Sequence, residues 1–84
     1  MEPDVVQVQA LSPLTLQVTF ADGTAGMVRF EESHLTGVFK RLSDPDVFQQ
    51  VHIHGGAVAW PGDLDLAPDA MYQAFKTHGQ WILR

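Results

Sequence analysis

The stretch Leu14-Thr15-Leu16-Gln17-Val18-Thr19-Phe20-Ala21-Asp22-Gly23-Thr24-Ala25-Gly26-Met27-Val28-Arg29-Phe30 decides the fold. Leu14, Leu16, Val18 and Phe20 alternate with Thr15, Gln17 and Thr19. A period of two with one apolar side marks a half-buried strand. Asp22-Gly23 then signals a hairpin turn. A two-residue loop would pair Leu16 with Arg29 and set a charge on the apolar face. A three-residue loop with a left-handed Gly23 pairs Phe20 with Thr24, Val18 with Gly26, Leu16 with Val28 and Leu14 with Phe30. A slip of one residue turns a whole strand over, and only the second register gathers the apolar side chains on one face.

Working outward, Val6, Val8 and Ala10 alternate with Gln7 and Gln9 and predict a strand before the hairpin, with Ser12-Pro13 as the break between the two. Residues 31–50 read as an interrupted helical region. Leu35, Val38, Phe39 and Leu42 have helical spacing, but Thr36-Gly37 weakens it. Ser43-Asp44-Pro45-Asp46 is a helix start, with Ser43 taken as the cap, proline in the first turn and an acid at the positive end. Val51 and Ile53 alternate with His52 and His54, Gly55-Gly56 turns the chain, and Ala57–Trp60 makes a short strand. The last helix is expected to begin near Ala67-Pro68-Asp69, to carry Met71, Ala74, Phe75 and His78 on its inner stripe, and to stop at Gly79. The tail, Gln80-Trp81-Ile82-Leu83-Arg84, carries three large apolar residues that are expected to pack on this domain or on a partner.

The expected architecture is a small single α+β domain over residues 1–84, ordered β-β-β-α-β-β-α, with a mainly antiparallel sheet and helices on one face. With 84 residues there is room for one core and not two. Apolar content of 45% with 18% charged residues is ordinary globular composition. A core this thin favours pairing of the chain with itself, through an edge strand or the Trp81–Leu83 tail. Cysteine is absent, which excludes disulfides, cysteine-bound zinc and thiol chemistry. The acidic start Met1-Glu2-Pro3-Asp4 lacks the features of a signal peptide. No apolar run approaches the ~20 residues of a membrane helix, so the cytoplasm is the expected location. The net charge of −5, with Arg29, Lys40, Arg41, Lys76 and Arg84 as the only strong bases, argues against nucleic-acid binding by this chain alone.

Three motifs then stand out: Phe20-Ala21-Asp22-Gly23, Leu42-Ser43-Asp44-Pro45-Asp46-Val47-Phe48, and Trp60-Pro61-Gly62-Asp63-Leu64-Asp65-Leu66-Ala67-Pro68-Asp69-Ala70-Met71-Tyr72. In order and spacing they resemble the bacterial DUF2442 family of domains of unknown function, over residues 4–75, leaving 76–84 as a tail. The resemblance implies a small α+β domain with no established activity. Its members occur alone, fused to a helix-turn-helix domain, or encoded beside another small protein in an arrangement like a toxin–antitoxin pair. Only one helix follows Trp60 here, so DNA binding by a fused domain does not carry over.

Chemistry-bearing groups are sparse. His52 and His54 fall on one face of a strand and, with Asp63 or Asp65, are the candidate metal ligands. Read as structure, they are two solvent-facing histidines. Asp65 suits backbone N–H groups of the Trp60–Pro68 loop, and Asp69 suits a helix first turn. No serine has a nucleophile-elbow setting, and no phosphate-binding glycine pattern exists. Trp60, Asp65, Tyr72 and Trp81 are the candidate partner-binding residues; the structural reading of Trp60 and Tyr72 is that they pack the last helix on the sheet. The expected function is therefore a small interaction or regulatory module, with an antitoxin-like role as its specific form, that is not an enzyme, needs no cofactor and binds a small basic protein. The alternative is a metal- or small-ligand-binding sensor acting with a transcription regulator.

Overall fold

The computed structural model describes residues 3–11 and 13–84; Met1, Glu2 and Ser12, on which the readings of the acidic start and the Ser12-Pro13 break partly rest, lie outside them. Strands β1 (Val5–Leu11), β2 (Thr15–Phe20) and β3 (Ala25–Phe30) run antiparallel in sequence order. Next come 3-10 segments at Glu32–His34 and Gly37–Ser43 and a one-turn helix α1 (Pro45–Phe48). Strands β4 (His52–His54), β5 (Ala57–Trp60) and β6 (Leu64–Asp65) form a second antiparallel sheet. Helix α2 (Pro68–His78) leads into β7 (Gln80–Leu83), which pairs parallel with β3 at the far edge of the first sheet.

The hairpin has the expected register. Leu16 faces Val28 and Val18 faces Gly26. The Phe20 N–H donates to the Thr24 carbonyl at 2.7 Å, and Gly23 takes φ +90°. Leu14 lies in the turn before β2, yet its carbonyl accepts the Phe30 N–H at 2.9 Å, so the outermost pair also forms. In β1 the expected face is corrected. The register shifts between Val5 and Gln7, a bulge that places Val6 outside the ladder. Val5, Val8 and Ala10 turn inward, and Val6 is 51% exposed.

The α+β class holds, with three differences in detail. Residues Glu32–His34 and Gly37–Ser43 wind as 3-10 rather than α-helix, with Leu35-Thr36 as the break between them. At three residues per turn, Phe39 and the buried Leu42 share a side, while Val38 turns to water and is 66% exposed. Second, the cap of α1 is Asp44, whose carboxylate accepts the Asp46 N–H at 2.9 Å; Ser43 Oγ instead donates to the Lys40 carbonyl. Third, the loop after Trp60 contains β6, and the tail is a strand. The loop turns through Gly62 at φ +90° and Asp63 at φ +63°, pairing Leu64 with Trp60.

Gly26 explains how α2 and β7 reach the first sheet. A Cβ on Gly26 would lie 2.8 Å from both the Gly79 carbonyl oxygen and the Phe75 ring. Glycine in a strand often marks such a close approach. Gly79, left-handed at φ +75°, ends α2 and donates to the Phe75 carbonyl. The chain then turns directly into β7. Met71 and Phe75 are buried on the helix's inner side, Ala74 is half-buried, and His78 is exposed.

One apolar cluster joins the two sheets. The rings of Phe30, Phe48 and Trp60 stand about 6 Å apart between centroids. The buried Trp60 indole N–H donates to the Phe48 carbonyl at 2.9 Å. No helix among the described residues is long and apolar enough to cross a membrane.

Candidate interaction surface

The residues singled out by sequence fall into separate places. Trp60 is 2% exposed and belongs to the core. Its indole N–H is satisfied by Phe48 and its ring meets Phe30 and Phe48, so it is a buried packing residue that joins the two sheets. Tyr72 is half-buried on α2. Its ring meets Phe20 edge-on at 5.2 Å, and its hydroxyl donates to Asp22 Oδ2 at 2.6 Å. The Lys76 ammonium lies 5.5 Å from the centre of the same ring. Trp81 sits on β7 opposite Val28 and packs, half-buried, against this chain's own core.

Among the described residues, Asp22 is the one group whose titration is clearly displaced. The Tyr72 hydroxyl, and after it the Thr24 N–H, hold its carboxyl below the ordinary aspartate value. The same carboxylate thus closes the hairpin turn through Oδ1 and ties it to α2 through Oδ2.

His52, His54 and Asp65 are exposed. His52 and Asp65 pair on opposite sides of Ala59. Two strand spacings, about 9.6 Å, therefore separate their backbones. Among the described residues, no three His, Asp or Glu side chains come together in a group able to hold a metal ion. Asp69 Oδ1 accepts the Ala70 N–H at 3.0 Å in the first turn of α2, as its position suggested.

The concave feature that sequence reading missed is a groove of about 460 Å³ between the β1–β2 turn and the 3-10 segments. Leu11 and Leu14 form one wall, Leu35 and Leu42 the other, and Phe48 lines it as well. Two backbone features shape the first wall. Leu14 takes φ +46°, a conformation that costs a non-glycine residue about 1–2 kcal/mol. Its carbonyl is held by Phe30 and the preceding Pro13 carbonyl by Thr15 Oγ1. The second wall belongs to an acid-rich segment. Glu31, Glu32, Asp44 and Asp46 are all exposed there, against Lys40 and Arg41. Arg41 is turned away to the Gly62 carbonyl at 3.2 Å. The result is an apolar trough lined by one acid, Glu32, and one base, Lys40, in a segment whose exposed charges are mostly acidic. No sequence pattern marks it, because its walls come from segments some 20–30 residues apart.

The family model for proteins of unknown function DUF2442 matches residues 5–77. No curated protein and no solved structure matches the chain.

Proposed function

The chain belongs to the DUF2442 family, and on that premise we propose that it is a protein-interaction module rather than an enzyme, one whose groove receives an apolar and basic segment of a small partner protein. The observation that carries this reading is the groove itself, apolar inside, with Glu32 and Lys40 as its charged lining residues and the exposed Glu31, Asp44 and Asp46 next to lining residues in the chain. Apolar anchors seated in a pocket supply most binding energy at protein interfaces. Opposite charge around the rim speeds encounter and selects the partner. An antitoxin-like masking of a basic partner in the cytoplasm is the form of this function that the net charge of −5 favours. Pairing of the chain with itself is part of the same reading.

The test is capture of proteins from the native cells by the tagged chain, repeated with Glu32→Lys and Leu35→Lys. The expected result is one small basic protein, with capture weakened about tenfold or more by either variant. Co-expression with that protein should also relieve any growth defect it causes. An empty capture, or one that both variants leave unchanged, removes the groove as the binding site.

A further inference from the structure

The outer face of the first sheet can be read directly from its register. Cross-strand partners project to the same side. Three rows result: Leu11, Thr15, Arg29 and Ile82; then Gln9, Gln17, Met27 and Gln80; then Gln7, Thr19 and Ala25. Among the described residues, no acidic side chain lies in these rows, where Arg29 is the only charge. The opposite face carries Leu16, Val18, Val28 and Phe30 into the core. Beside the third row lies a hollow of about 620 Å³, lined by Val6, Gln7, Gln17, Thr19, His52 and Ile53 among others. Val6 and Ile53, 51% and 38% exposed, are two of the three large apolar residues left open to solvent among the described residues.

We infer that this acid-free face is where the chain pairs with a second copy of itself. The inference rests on the reading of the chain as a self-pairing interaction module and names the surface. A basic partner would find nothing here to attract it. An equally acidic copy is repelled by most of this molecule's surface, but it can approach this face without setting carboxylate against carboxylate. Depletion of charge with methionine at the centre is also the composition of interface cores. A two-fold axis along the middle row is self-complementary. It sets Gln17 against Gln17, each side-chain amide both donor and acceptor. It lays the Arg29 row over the row of Gln7, Thr19 and Ala25, so the two guanidiniums do not meet. Strand spacing and rise make the face roughly 20 Å on a side. That is about 400 Å² from each copy, half the standard share and in the range of weak or transient pairs, so dissociation in the upper micromolar range is expected.

Sedimentation of the full chain from about 5 to about 500 µM measures it. The expected result is a concentration-dependent dimer. Gln17→Glu, which sets two carboxylates face to face across the axis, raises the dissociation constant about tenfold or more. Gln73→Glu, on the exposed side of α2, leaves it unchanged. Should circular dichroism show Gln17→Glu misfolded, Gln9→Glu on the edge strand takes its place. A dimer untouched by these changes in the sheet overturns the surface but leaves self-pairing standing. A monomer throughout overturns both and leaves the basic-partner groove unaffected. A monomer whose capture of a basic partner is lost on Gln17→Glu assigns the face to that partner and overturns the proposal.

Discussion

Asp22 and Tyr72 show how single residues tie this fold together. They come from two motifs 50 positions apart, and one 2.6 Å hydrogen bond joins them. The same holds elsewhere: the Trp60 indole reaches the Phe48 carbonyl, and Arg41 reaches the Gly62 carbonyl. Residues of the Asp22, Asp44–Phe48 and Trp60–Tyr72 segments thus make contacts that hold hairpin, helix and second sheet in place. A pH dependence follows from Asp22. Its carboxyl titrates below the ordinary aspartate value because the Tyr72 hydroxyl, first, and the Thr24 N–H favour the charged form. A group depressed in the folded state stabilises above its unfolded pKa, about 3.9, and that contribution is lost as pH falls through the lower folded value. Thermal midpoints measured between about pH 6 and about pH 2 should therefore fall less steeply for Tyr72→Phe and for Asp22→Asn than for the wild type. Parallel curves would show that the bond contributes nothing in solution.

Among the elements, β7 carries the largest consequence. It covers the edge of β3, and its Trp81 and Leu83 pack against the core. Full burial of such side chains is worth roughly 1.5–3 kcal/mol each, so two half-buried ones with their ladder bonds amount to about 3 kcal/mol. Total stability for a chain of this size is expected at about 4–12 kcal/mol. Truncation after Gly79 should remove much of it, seen in urea denaturation as a midpoint lowered by about half. An unchanged midpoint would mean that β7 does not hold to β3 in solution. The parallel pairing also explains why Gly26 is glycine, since the end of α2 must press on β3 before β7 can lie alongside it.

At the scale of the whole molecule, two sheets share one core. Phe30 of the first sheet meets Trp60 of the second, and Phe48 packs between their segments. Small single domains of this kind unfold in one transition. The two tryptophans report the sheets separately, Trp81 the first and Trp60 the second. Fluorescence melts of Trp60→Phe, which keeps Trp81, and of Trp81→Phe, which keeps Trp60, should each coincide with that variant's own far-ultraviolet dichroism melt. A fluorescence transition displaced by more than about 5 °C in either variant would mean that the sheets unfold independently.

The local features were legible in the amino-acid sequence: the hairpin and its three-residue loop, the Gly55-Gly56 turn, the start of α2 at Pro68 and its end at Gly79. Each is decided by alternation, turn chemistry or capping within a few residues. The winding of residues 32–43, the bulge at Val6, the pairing of β6 and the parallel placement of β7 were decided by tertiary structure. Val6 looks like any inward valine until Val5 donates to the Gly56 carbonyl and Asp4 accepts the Ala21 N–H. A parallel partner lies far along the chain, and nothing in Gln80–Leu83 alone distinguishes a strand from an apolar tail. The groove and the acid-free sheet face were hidden for the same reason. Each is assembled from segments distant in sequence, and a surface exists only once the chain has chosen which side chains to bury.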